Sequence, residues 1–344
     1  MEASKPWIIL GFVVGVAYAV ALEPQETDLY VRVVDVGAGH CSVVKMPGNF
    51  YMVYDAGNYT DSGRTCFDAV SDIVPEDVAI ELMVLSHSDS DHLGGVDEIL
   101  DAYTVKRIIR SGYYRDTKTW KVSFQAVMYE RYDEGLGEDQ RFVDINLKEV
   151  EFPRGATYQF GDTFVTMVTG YHEPPSHWDI QGESERRNAG SIVIRVQYKG
   201  RSILFTGDTV GRHIDDPPDS CLAAEKEMVE MSPVIPIRSE VIIAPHHGAD
   251  NGSSTEFIKA VDPKFVIFPA GHKHDHPTKA AAERYLAHGV ELAKMFRTDR
   301  GDDEGSKEWD HERVNGHSDP AGDDDVDIII TQDGDVQVAY RDSD

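Results

Sequence analysis

The chain has 344 residues, 41% of them hydrophobic and 9% aromatic, enough to bury a sizeable core and to exclude global disorder. Its 61 Asp plus Glu against 33 Lys plus Arg leave a formal net charge of -28. That field repels phosphate backbones at long range, argues against duplex-DNA binding, and leaves room for metal ions as local cationic centres.

Residues 7–21 (WIILGFVVGVAYAVA) form an uncharged apolar run that ends in Ala19-Val20-Ala21, a small-x-small cleavage pattern. The run is short for a membrane span, which needs ~20 residues. Residues 1–21 are therefore expected to be a signal peptide, with an uncleaved N-terminal anchor as the alternative. Residues 22–344 would then be a secreted or periplasmic domain, touching a membrane only through the leader. Cys41, Cys66 and Cys221 show no CxxC or zinc-finger spacing and permit at most one internal bridge. Their expected state is buried free thiol.

Strand-like runs follow at 29–35, 41–46 and 50–55, with Pro47-Gly48-Asn49 as a hairpin turn. A buried strand at 81–85 leads to a helical pattern over 95–103, a strand at 105–109 and a helix over 120–132. A second series has strands at 163–168, 191–197, 202–206, 241–244 and 265–268. Helices at 222–231, 254–261 and 278–288 separate its later members. Residues 302–327 carry eleven acidic side chains against Lys307 and Arg313 and read as a solvated acidic loop. Residues 327–331 and 335–340 form a terminal hairpin around Gln332-Asp333-Gly334. Hairpins mixed with crossover helices in two halves indicate a layered α/β domain.

The chemistry concentrates in Ser86-His87-Ser88-Asp89-Ser90-Asp91-His92-Leu93-Gly94-Gly95, directly after a buried strand. Imidazoles and carboxylates at this density suit zinc, manganese or iron, and the glycine pair lets the backbone turn tightly into a helix. Read without metal, the same residues are a polar helix start with Asp capping. This stretch is similar to the His-x-His-x-Asp-His signature of the metallo-β-lactamase superfamily. Asp89 replaces its second His, as in the extracytoplasmic hydrolase domain of ComEC-type competence proteins. Asp35-Val36-Gly37-Ala38-Gly39-His40 resembles that group's opening Asp-Val-Gly-x-Gly-Asp, with His40 departing from Asp. Tyr54-Asp55-Ala56-Gly57, Asn188-Ala189-Gly190-Ser191, Thr206-Gly207-Asp208, Pro245-His246-His247-Gly248, His276-Pro277 and Arg297-Thr298-Asp299 follow in the family's order.

The resemblance implies an αββα sandwich, two mixed sheets face to face with helices outside. It also implies a metal-dependent hydrolase, and it runs from about residue 29 to 340. The implied ligands are His87, Asp89, Asp91, His92, Asp208, His247 and His276, holding two Zn2+ ions or Mn2+, with Asp208 bridging and His272 as the rival for the last place. Asp91, His246 and His247 are the implied catalytic groups, and Asp55 would orient the metal loop from behind. His172 and His177 lie where typical members place a further ligand, and neither is assigned one. Residues 113–121, with Tyr113, Tyr114, Arg115, Lys118, Trp120 and Lys121, can be a phosphate-stacking surface; the plainer reading is an amphipathic helix start. The expected substrate is a phosphodiester small molecule or single-stranded nucleic acid. A phosphorylcholine esterase-like hydrolase and a non-catalytic binding module on the same scaffold are the alternatives, since the fold hosts many activities.

Overall fold

In the first apolar run of the domain, Leu29–Val33, all five residues are buried, as in a strand covered on both faces. The computed structural model describes residues 22–58, 65–132, 142–214, 216–217, 219–300, 309 and 324–341. The leader over 1–21 and most of the acidic segment therefore lie outside the described residues.

Strands β1 (Leu29–Val33), β2 (Cys41–Met46) and β3 (Phe50–Ala56) run antiparallel, and tight turns suffice to join β2 to β3. From β3 the sheet continues parallel through β4 (Leu82–Leu85), β5 (Arg107–Arg110) and β6 (Val143–Asn146). Parallel pairing needs crossovers. These are α1 (Cys66–Ile73), α2 (Ser90–Leu93) with α3 (Val96–Ala102), and α4 (Lys118–Tyr132). The second half repeats the plan. Strands β7 (Thr157–Phe160), β8 (Thr163–Thr169), β9 (Val193–Tyr198) and β10 (Arg201–Phe205) are antiparallel, with α5 (Gly182–Ala189) before β9. Strands β11 (Val241–Ile243), β12 (Phe265–Phe268) and β13 (Met295–Arg297) extend it in parallel, crossed by α6 (Ala223–Met231), α7 (Thr255–Val261) and α8 (Lys279–His288). The hairpin β14 (Val326–Ile330) and β15 (Val336–Tyr340) returns to the first sheet beside β1.

The period of two along each strand sorts the core into layers. Met52 and Tyr54 of β3 and Leu82 and Val84 of β4 point between the sheets, against Phe205 and Ile243. Their neighbours Val53, Met83 and Leu85 face outward onto Val70, Val96, Ile99 and Val127 of the helices. On the far side, Leu204, Ile242 and Val266 meet Met228, Phe257 and Tyr285. At ~1.5–3 kcal/mol for each fully buried large aliphatic side chain, three such layers give a rigid frame. This is the four-layer αββα sandwich expected from the sequence. Strands β4, β10, β11 and β12 all deliver their carboxyl ends to one edge of it, where ligand sites of parallel sheets form.

Two expectations are corrected. Cys41 and Cys66 are not free thiols but a disulfide, with Cα atoms 5.7 Å apart, and Cys221 alone stays free. The first residue of β2 and the first of α1 meet beside the end of β3, a meeting that spacing along the chain does not encode. The acidic segment is not simply solvated at its described positions. Trp309 is buried against Phe268, and Asp324 and Asp325 are buried, paired with Arg300 and with the backbone N–H of Asp35. Helices α1 and α5 and strands β6 and β7 were not anticipated. Gly182–Ala189 (GESERRNA) has almost no apolar residue to set a period.

Candidate metal centre

Strand β4 ends in a loop whose first residue is tied down twice by one buried carboxylate. Asp55 accepts the Ser86 backbone N–H at 2.6 Å and the Ser86 hydroxyl at 2.8 Å. Asp89 stands at the N-terminal boundary of the following α2 without a side-chain hydrogen bond to it, and backbone contacts hold the helix close to the end of β3. A Cβ on Gly57 would fall 1.9 Å from the Asp91 carbonyl oxygen, so only glycine lets the loop approach. The His40 N–H donates to that same carbonyl at 3.0 Å.

Asp208 follows β10, its backbone N–H donating to Ser191 at 3.0 Å. His246 and His247 follow β11, both at positive φ, 48° and 56°. These strand ends bring one ligand atom each from Asp91, His92, Asp208 and His247 within 4.8 Å of one another. His92 Nε2 lies 3.2 Å from Asp208 Oδ1 and 3.2 Å from His247 Nε2. His247 Nε2 is 3.4 Å from the same Oδ1, and Asp91 Oδ2 stands 3.8 Å from His247 and 4.0 Å from His92. The other carboxylate oxygen of Asp208 faces a different pair, His87 Nε2 at 3.6 Å and His246 Nε2 at 3.7 Å. Asp208 thus sits between two histidine pairs. Nitrogen and oxygen donors in this set fit zinc or manganese. Buried Nε2 of His87, Oδ1 of Asp208 and Nδ1 of His276 have no hydrogen-bond partner among the described residues. A cation relieves such unsatisfied atoms.

The electrostatics follow from burial and crowding. Burial alone would strip the proton from His92, but Asp208 and Asp55 reverse this and hold its pKa well above the usual imidazole value. Burial opposes charge on Asp208 too, yet His92, His247, His246 and His87 hold its carboxyl well below the ordinary range. Burial pushes His247 down to about 4 against the pull of Asp208. Burial, with His246 and His247 nearby, pushes His276 down to about 3. His247 and His276 are therefore neutral at pH 7 and ready to ligate, whereas His92 must give up a proton to do so.

The remaining expected residues take different places. Asp89 stands outside the four-residue cluster and lies against Arg187 and Arg115. His246 is held by the Asn251 side chain through Nδ1 at 2.7 Å and by Asn188 Nδ2 through Nε2 at 3.2 Å. His276 stacks on His247, ring centres 6.4 Å apart and planes 9° apart. His272 opens the short 3-10 turn His272–His274, and its side chain lies outside the described set. His172 contacts the Ser111 carbonyl, away from the cluster. Asp55 reaches His92 Nδ1 at 2.8 Å and His40 Nδ1 at 3.5 Å, so His40, Asp55 and His92 form a buried group behind the ligands. Sequence reasoning missed Arg187, Asn251 and the Pro269 carbonyl, which takes His247 Nδ1 at 2.5 Å. It named Arg115 only within the run 113–121.

Residues 34–272 match the profile of the metallo-beta-lactamase superfamily. The chain is similar to the competence protein ComA of Neisseria gonorrhoeae, 27% identical over 311 residues, 86% of this chain and 34% of that protein. It is 25% identical over 224 residues to ComE operon protein 3 of Bacillus subtilis strain 168, 64% of this chain and 24% of that one. The chain therefore spans about a third or less of these relatives. Among solved structures, the metallo-beta-lactamase fold protein YhfI from Bacillus subtilis aligns over 78% of this chain and 95% of its own, at 11% identity and a TM-score of 0.43.

Proposed function

The chain belongs to the metallo-β-lactamase superfamily, and from that premise we propose that it is an exported metal-dependent phosphodiesterase. The observation that carries this reading is the convergence of Asp91, His92, Asp208 and His247 from three separate loops on one buried point. These four would hold a divalent cation, zinc or manganese, and His87, which faces Asp208 Oδ2, would help to hold a second. A bound divalent cation supplies Lewis-acid polarisation of a phosphoryl oxygen and an acidified water.

The chain's own groups do the rest. Asp55 and the Pro269 carbonyl hold the His92 and His247 rings by their far nitrogens, which fixes the nitrogen each presents to the site. His246 is held between Asn188 and Asn251 and stands 3.7 Å from Asp208. It is placed to give a proton to the leaving oxygen. Export is supported by the apolar leader at 7–21 and by the Cys41–Cys66 disulfide, a bond that persists in oxidising compartments.

The test is a substrate panel on chelator-treated protein with and without added zinc or manganese. It contains bis(nitrophenyl) phosphate, single-stranded DNA, a phosphorylcholine ester and a lactone. Metal-dependent hydrolysis of the phosphodiesters is expected, and hydrolysis of the lactone alone overturns the substrate class. In His246→Ala, a substrate with a poor leaving group should slow by ~10²–10⁴-fold. An activated nitrophenyl ester, which needs little protonation, should slow far less.

A further inference from the structure

Beside the metal loop the chain commits two arginines to one aspartate. Asp89 Oδ1 accepts from Arg187 Nε at 2.7 Å and lies 2.9 Å from Arg115 Nη1, and Oδ2 is 3.4 Å from Arg187 Nη2. Arg115 comes from the segment between β5 and α4, and Arg187 from α5, so the two guanidiniums reach one carboxylate from unrelated parts of the chain. Glu183 offers Arg187 its backbone carbonyl at 3.0 Å and spends its carboxylate on the Tyr113 hydroxyl, while Asp116 pairs with Lys121.

Asp89 thus faces two guanidiniums beside the metal loop, in a chain of net charge -28. The side chains of Asp89, Arg187 and Arg115 are 15%, 12% and 26% exposed, open enough for a ligand and dry enough for charge to count. Further polar groups lie next to the two charges in the chain. Ser88 Oγ and Asn188 Oδ1 are buried and lack a hydrogen-bond partner among the described residues, and Asn188 also touches His246. Forked guanidiniums match the paired oxygens of a phosphate better than any other cationic side chain.

Resting on the phosphodiesterase reading above, we propose that Arg115 and Arg187 are the subsite for the non-bridging oxygens of the substrate phosphate. Asp89 holds both guanidiniums in position until the anion arrives. Nucleic acid and phosphorylcholine esters share this chemistry.

The experiment titrates inorganic phosphate into the zinc-loaded full chain by calorimetry, for wild type, Arg115→Gln and Arg187→Gln, with the metal content of each measured alongside. Both variants should bind phosphate at least about tenfold more weakly, one lost charge-assisted contact being worth a factor of ten or more, while keeping wild-type metal. Phosphate affinity within twofold of wild type in both variants overturns the proposal. So does weakened binding that merely tracks lost metal, since the arginines would then only support the metal loop. Titrations with a phosphorylated dinucleotide and with phosphorylcholine separate the two sources. The subsite reads whichever ligand the Gln variants weaken, and no effect on either overturns it. Binding is read without turnover, so the outcome stands even if the wild type hydrolyses no phosphodiester.

Discussion

Asp55 Oδ2 lies 2.8 Å from Nδ1 of His92, and both side chains are fully buried. The carboxylate keeps the proton on Nδ1 and turns Nε2 toward Asp208 and His247, so the ligand's orientation is decided from behind. Asp55→Asn retains a hydrogen-bonding side chain of the same shape but removes the charge that supports the imidazole. Zinc affinity, measured by competition with a chelating dye, should fall by ~10–100-fold, with the circular dichroism spectrum unchanged. Unaltered affinity would show that His92 needs no such partner.

The metal loop was legible because its donors fall within six consecutive residues and follow an apolar strand. Asp208, His246 and His247 were legible because each follows a short strand with an apolar end, the place where parallel strands present side chains. What stayed hidden depends on distant pairings. Arg187 meets Asp89 across 98 residues, and it lies on a helix without an apolar period. The Cys41–Cys66 bridge, 25 residues apart, gives no local signal either. Position 89 shows the limit of motif reading. Its residue type suits a ligand, but only the fold reveals that its oxygens face two guanidiniums.

Asp208 faces four imidazoles with two oxygens. Asp208→Ala should lose more metal affinity than the ~10–100-fold expected when a supporting group behind a ligand is removed. Activity should fall with it. The chain should stay folded, because the residue ends a strand instead of filling one of the three apolar layers. Metal analysis with near-ultraviolet circular dichroism checks both halves. A folded variant that keeps full metal would remove Asp208 from the centre.

The disulfide closes a loop that contains the end of β3 and the start of α1. By loop-closure entropy, replacing both residues in a Cys41→Ser, Cys66→Ser variant should cost ~2–4 kcal/mol in urea unfolding. The bridge adjoins His40, which touches Asp55, so zinc affinity should be compared in the same variant. Stability equal to wild type would mean that the packing of α1 alone fixes that corner.

Acid should weaken the metal-free protein through three buried histidines, His87, His247 and His276, because burial holds His87 below the usual imidazole value as well. His247 and His276 are held down to about 4 and about 3 by burial, against ~6.5 in an unfolded chain. Their contribution is fully present above ~6.5 and is lost as pH falls toward those folded values, because only the unfolded chain takes up the protons. The slope is up to about 1.4 kcal/mol per pH unit for each. His92 adds no slope in this window. Its folded pKa is raised, so below ~6.5 it is protonated whether folded or not. Asp208, held low, enters only below ~4. A chain of net charge -28 also sheds self-repulsion on acidification, which acts in the opposite sense. The informative quantity is therefore the stability of wild type minus that of His276→Gln, a variant that cannot titrate there and shares the same charge background. In urea titrations of chelator-treated protein, that difference should shrink by on the order of 1 kcal/mol or more between about pH 7 and about pH 5. A difference that stays constant would mean that His276 binds its proton as readily in the folded chain as in the unfolded one.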